Sequence, residues 1–230
     1  MSFTARMRDT YADLFEAFRT HPFLVSLRRG DTAREAAVAY VGQDAAYLRG
    51  FERCYGLGLA LSPDPDWQAF FIDGAGLMLR EEPAAHRALV APFGVDYDAV
   101  QAEHLAPAGQ AYVDHMLVAG HDTLGVLMAA LLPCQWTYTW AATGALEADE
   151  IGPGHPFAAW FAFYASAECV RLVADYRART DTLAEAAGPA EVTRMERAFA
   201  VSMHHEIAFW EAALTGQTWH SLPARVLAGR

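Results

Sequence analysis

The sequence predicts an all-α protein, a single-domain helical bundle spanning residues 1–230, and three observations carry that expectation. Apolar residues recur at helical spacing along nearly the whole chain, and no stretch alternates convincingly with a period of two. Hydrophobic residues make up 53% of the chain, enough for a sizeable core, while charged residues reach only 20%. No segment is long or polar enough to read as a linker between two domains.

Each element follows from local signals. Phe3 to Thr20 places Tyr11, Leu14, Phe15 and Phe18 at helical spacing, and His21–Pro22 ends it. Thr32 and Glu35 are spaced as a capping box for a second helix, which runs through Tyr40, Asp44, Tyr47 and Phe51 to about Ala60. Ser62–Pro63–Asp64–Pro65 breaks the chain, and a third helix is expected from Asp66 to Val90, stopped by Pro92–Phe93–Gly94. A short helix between Asp96 and Glu103 and another from Pro107 to Gly120 lead to the uncharged run Thr123–Leu146. Beyond Gly152–Pro153–Gly154, one long aromatic-rich helix is expected from His155 to Thr180. Gly188–Pro189 separates it from a last long helix, about Ala190 to Leu214, with a short segment at Ser221–Leu227. His-Pro-Phe occurs at His21 and again at His155, but the flanking residues do not align, so no internal repeat is inferred.

Charge and composition narrow the function. A net charge of −11 disfavours contact with nucleic-acid phosphates or an anionic membrane surface. The run Thr123–Leu146 is long enough to suggest a membrane span. It holds Pro133 and Gln135, however, and is flanked by the acidic Asp122 and Glu147, so a buried central helix is the better expectation. With no signal-peptide pattern and an odd set of three cysteines, reduced thiols in a cytoplasmic protein are expected.

Chemistry concentrates at polar residues on apolar helix faces. Pro133 should kink its helix, and the next residue is Cys134, with Tyr138 one turn further on the same face. Asp44 lies within the stripe of Tyr40, Tyr47, Leu48 and Phe51, where an unpaired carboxylate is costly. Glu206 shares a face with Phe209 and Trp210, and Tyr112 and Tyr164 sit in bulky apolar runs. Each also fits an ordinary role: cysteine as small hydrophobe, Asp44 bonded to a helix end or to Arg49, tyrosines as packing. A metal centre is not expected, because paired Glu-x-x-His motifs and His-Glu-x-x-His are absent and adjacent pairs such as His204–His205 diverge on a helix. Glu82 and His86 have chelating i, i+4 spacing, but a surface or interhelix bond is the expected use.

Taken together these motifs resemble the TenA (thiaminase II) family. The resemblance rests on Gln43–Asp44–x–x–Tyr47–Leu48, Leu132–Pro133–Cys134–x–Trp136–x–Tyr138 and Ser202–x–x–x–Glu206–x–x–Phe209–Trp210. His21–Pro22–Phe23, Ala111–Tyr112 and His155–Pro156 with Trp160 and Tyr164 also fall in the family's order. The resemblance implies a heme-oxygenase-like fold, a homotetramer, no metal or organic cofactor, and hydrolysis of thiamin-related aminopyrimidines in thiamin salvage. By position, Cys134 resembles the nucleophile and Glu206 the acid/base; Asp44 resembles the residue holding the aminopyrimidine edge. Tyr47, Tyr138 and Tyr164 would complete a polar wall, and Tyr112 and Phe209 the aromatic walls. His205 and Ala45 depart from the family's usual aromatic residues, which bears on substrate detail. A metal-dependent bundle, a regulator and a non-catalytic pyrimidine-binding protein of the same fold are the alternatives.

Overall fold

The computed structural model describes residues 1–219, and no strand occurs among them. Among the described residues twelve α-helices follow one another in chain order. They are α1 (Phe3–Thr10), α2 (Ala12–Arg19), α3 (Pro22–Arg29), α4 (Arg34–Leu61), α5 (Pro65–Arg80) and α6 (Glu82–Val90). The second half holds α7 (Tyr97–Val100), α8 (Pro107–Ala119), α9 (Leu124–Glu147), α10 (Ala158–Tyr164), α11 (Ala167–Ala186) and α12 (Pro189–Thr215). The expected segment Ser221–Leu227 lies outside the described residues.

Helix α9 is the axis of the bundle. Leu127 through Leu132 are wholly buried on every face, because α12 and α11 pack along it while α8, α10 and α4 complete the ring. Its uncharged sequence is therefore core, and no described helix is long and apolar enough to cross a membrane. The Thr123 side chain starts the helix by accepting from the Val126 amide at 3.3 Å. The helix continues through Pro133, whose missing N–H removes the bond that Ala129 would otherwise accept. One residue along, the Ser202 hydroxyl of α12 donates to the Ala130 carbonyl at 2.7 Å and ties the two helices together at that turn.

Three expected helices are divided, each for a local reason. Tyr11 leaves helical geometry between α1 and α2, its ring lying 6.1 Å from Phe199 and its hydroxyl donating to Glu196 at 3.4 Å. Pro83 sits in the first turn of α6, where its absent N–H costs nothing, and this separates α5 from α6 at Glu81. Ser166 caps α11 by accepting from the Cys169 amide at 3.2 Å and so ends α10 at Tyr164. The capping box at Thr32 does not form: Ala33 is the cap residue, and the Thr32 hydroxyl pairs instead with Ser26 at 3.0 Å.

The two His-Pro-Phe segments share one local bond: His21 and His155 each accept through Nδ1 from the amide two residues on, at 3.2 Å. His155 Nε2 then donates to the Arg28 carbonyl at 3.0 Å. This seats Pro156 beside Gly30, which ends α3 with φ 74°, and a Cβ there would stand 3.0 Å from the Pro156 ring.

Candidate active site

Six helices deliver polar and aromatic groups to one buried region: α4 (Asp44, Tyr47), α6 (Glu82, His86), α8 (Tyr112), α9 (Cys134, Tyr138), α10 (Tyr164) and α12 (Glu206, Phe209). Several come as one-turn pairs, since residues four apart project from the same helix face. The Ser202 bond fixes the register that matters most. One turn beyond Ala130 on α9 is Cys134, and one turn beyond Ser202 on α12 is Glu206.

At the α9–α12 end, Glu206 is 2% exposed and accepts from the Tyr112 hydroxyl through Oε1 at 2.6 Å. Burial pushes its carboxyl up to about 8, helped by the nearby charge of Asp44, while bonding from Tyr112 and Cys134 pulls the other way. Burial likewise drives the Cys134 thiol well above its ordinary range, reinforced by Glu206, Glu82 and Asp44 and opposed by Tyr47. A thiol in that environment needs a base to form its thiolate near neutral pH. Cys134 is half-buried by area while its thiol is desolvated, with Tyr47 and the carboxyls of Glu206, Glu82 and Asp44 around it.

At the α4–α6 end Asp44 does not take the ordinary role weighed for it, a bond to a helix end or to Arg49. Arg49 bonds the Ala45 and Ala102 carbonyls, at 3.1 and 2.6 Å, and does not touch it. Asp44 Oδ2 instead accepts from the Tyr40 hydroxyl at 3.0 Å and lies 2.7 Å from His86 Nε2. Beside it, Glu82 Oε1 accepts from the Tyr164 hydroxyl at 2.7 Å. Glu82 and His86 make interhelix bonds, one of the two uses expected of them, to α10 and α4, and they are buried rather than at the surface, 6% and 0% exposed. Burial raises Glu82 to about 7, with the Asp44 charge adding to it and His86 opposing. Burial works to lower His86, but the bond and charge of Asp44, with Glu82, leave it raised.

Tyr40, Glu82 and His86 are the site residues that sequence reasoning missed. A signal was present: Glu82, Ala85, His86, Leu89 and Val90 form the buried stripe of α6, so two polar residues sit on an apolar face, as Asp44 does on α4. The three groups Asp44, Glu82 and His86 each bring one ligand atom to within 4.8 Å of the others, the set among the described residues that could hold an ion.

Aromatic rings close the region. Trp210 stacks on Tyr40 at 4.9 Å, on Tyr138 at 5.2 Å and on Phe23 at 4.7 Å, locking α12 against α4, α9 and α3. Tyr47 lies 5.2 Å from Tyr112 and 5.4 Å from Phe209, and Tyr138 lies 5.0 Å from Tyr164. All eight residues singled out from sequence therefore fall in this region. The open surface groove of about 290 Å³ beside Trp136, Trp140 and Arg177 contains none of them.

The architecture is that of an all-α protein with a buried, acid-rich site holding a single thiol. A model of the TENA/THI-4/PQQC family matches residues 4–216, and the chain belongs to that family. Among curated relatives, an aminopyrimidine aminohydrolase of Staphylococcus carnosus is 28% identical, over 92% of this chain and 93% of its own. One of Halalkalibacterium halodurans is also 28% identical, over 96% and 99%. A TenA homologue from P. horikoshii OT3 superposes with a TM-score of 0.82 at 26% identity, covering 94% of this chain and all of that one, 100%. A domain with a heme oxygenase-like fold from Shewanella denitrificans superposes at 0.70 with 12% identity over 94% and 93% of the two chains, which supports the fold alone.

Proposed function

We propose that this protein hydrolyses thiamin-related aminopyrimidines, thiamin or 4-amino-5-aminomethyl-2-methylpyrimidine, releasing 4-amino-5-hydroxymethyl-2-methylpyrimidine. The observation that carries this reading is the convergence of Cys134, Glu206 and Asp44, from α9, α12 and α4, on one buried region. The family match and the names of the curated relatives support it.

In this mechanism Asp44 accepts from the ring amino group and orients the pyrimidine between Tyr112 and Phe209. Ionised Glu206 takes the Cys134 proton, and the sulfur adds to a ring carbon, moving an electron pair onto a ring nitrogen. That pair returns to expel the side-chain nitrogen, which leaves with the proton from Glu206 when it is an amine. Water adds to the exposed methylene carbon, giving its proton to Glu206 when an amine has left, or to solvent when a thiazole has left and Glu206 still holds the first proton. The carbon–sulfur bond then breaks, the ring is restored, and the thiolate recovers a proton. Tyr112 steadies Glu206 throughout, while Tyr47, Tyr138 and Tyr164 supply polar contacts around the ring.

Cys134→Ala is expected to abolish hydrolysis while leaving the fold and pyrimidine binding intact. Turnover at the wild-type rate would rule out the covalent route. The same reading takes residues 1–230 as one domain, cytoplasmic and homotetrameric, working without metal or organic cofactor. Size-exclusion chromatography with light scattering and metal analysis of the purified protein check the assembly and the metal content.

A further inference from the structure

We propose that His86 and Glu82 are positioning residues: with Tyr40 and Tyr164 they bracket Asp44 so that one carboxylate oxygen is held by protein and the other is offered to the pyrimidine. This rests on the aminopyrimidine reading above and assigns residues to its recognition step.

The two bonds made by Asp44 both fall on Oδ2, from Tyr40 at 3.0 Å and at His86 Nε2, 2.7 Å away. Two donors from different helices, α4 and α6, fix both the position and the plane of the carboxylate. Oδ1 takes no bond from the described residues, and it is not among the fully enclosed side-chain atoms without a partner. It is therefore the oxygen with room to accept from a ligand. An aminopyrimidine presents an N–H donor beside a ring nitrogen, and a carboxylate oxygen fixed in place selects that edge.

His86 itself is held from behind. Its ring packs 5.8 Å from Tyr97 and edge-on to Tyr40 at 6.1 Å, and it is fully buried, so it cannot swing to another acceptor. Glu82 lies one turn before it on α6, with Oε1 committed to Tyr164 and Oε2 buried without a partner. Asp44, Glu82 and His86 thus form one packed group in which His86 is the basic member between two acids. Removing the His86 donor leaves Asp44 with Tyr40 alone and next to a second carboxyl.

The test is binding of the product pyrimidine and of its analogue lacking the ring amino group, measured by calorimetry on wild type, His86→Leu, His86→Gln and Glu82→Leu. Wild type is expected to prefer the amino compound by about tenfold or more, the value of a bond to a charged group. His86→Leu and Glu82→Leu should reduce that preference to within about threefold, and His86→Gln, which keeps an N–H donor, should restore most of it. In turnover, His86→Leu should raise KM by a larger factor than it lowers kcat. A preference unchanged in His86→Leu, or lost equally in His86→Gln, overturns the positioning role while leaving the proposed function standing. If wild type binds neither pyrimidine, the proposed function itself fails and the inference goes with it. The alkylation rate of Cys134 reports the integrity of the site in each variant. His86→Gln with that rate unaltered keeps the test decisive should the leucine variants fail to fold.

Discussion

Glu206 offers the sharpest quantitative test, because its burial has a calculable consequence. The carboxyl is 2% exposed and titrates at about 8, whereas an unperturbed glutamate titrates at 4.5. Ionising it in place therefore costs up to about 5 kcal/mol more than in the unfolded chain. Its folded-state pKa is the higher one, so its contribution to stability is fully present below pH 4.5 and is lost as pH rises through about 8. Glu206→Gln stays neutral at every pH and lacks this loss. The stability of wild type minus that of the variant should accordingly fall by about 4 kcal/mol between pH 5 and 9. Urea unfolding of both proteins at pH 5, 7 and 9 measures it. A difference constant to within about 0.5 kcal/mol would show that Glu206 is not desolvated and would remove the basis for its acid/base role. The variant should also lose hydrolysis by about 10²- to 10⁴-fold.

Tyr112→Phe deletes the donor that favours ionised Glu206, so the rise of kcat/KM with pH should move upward by about one pH unit in a pH–rate profile. Ser202→Ala breaks the tie at Ala130, and it should cost about 1 kcal/mol in urea unfolding and lower kcat more than it raises KM. Iodoacetamide should modify Cys134 slowly at neutral pH and faster on the alkaline side, while the buried Cys54, pushed up to about 12, and Cys169 stay unmodified in the folded protein by mass spectrometry.

Much of the fold was legible because the long helices carry their own signals. The last one begins at Pro189, one residue from its expected start, and α8 and α9 lie within a few residues of theirs. Ser166 and Pro83 also mark real helix starts, but each stands inside a continuous apolar pattern, and periodicity outweighed them. At Thr32 the local spacing was right and tertiary context overrode it, since Ser26 sits close enough to claim the hydroxyl. For the site, a polar residue on an apolar stripe was the readable mark, and it located Asp44, Cys134 and Glu206. The identity of the group across the interface was not readable. Nothing near Asp44 in sequence points to His86, which arrives from a different helix 42 positions away.

The pairing of site groups one helical turn apart has a consequence for how this chain can change in length. Tyr40 with Asp44, Glu82 with His86, Cys134 with Tyr138 and Ser202 with Glu206 each depend on an unbroken count of four. A single residue inserted within any of these turns swings the second member by about 100° around its helix and strands it from its neighbours. The same insertion in the connection between α7 and α8 leaves every pair intact. Growth and loss of chain should thus be confined to the connections, while the four turns keep their length.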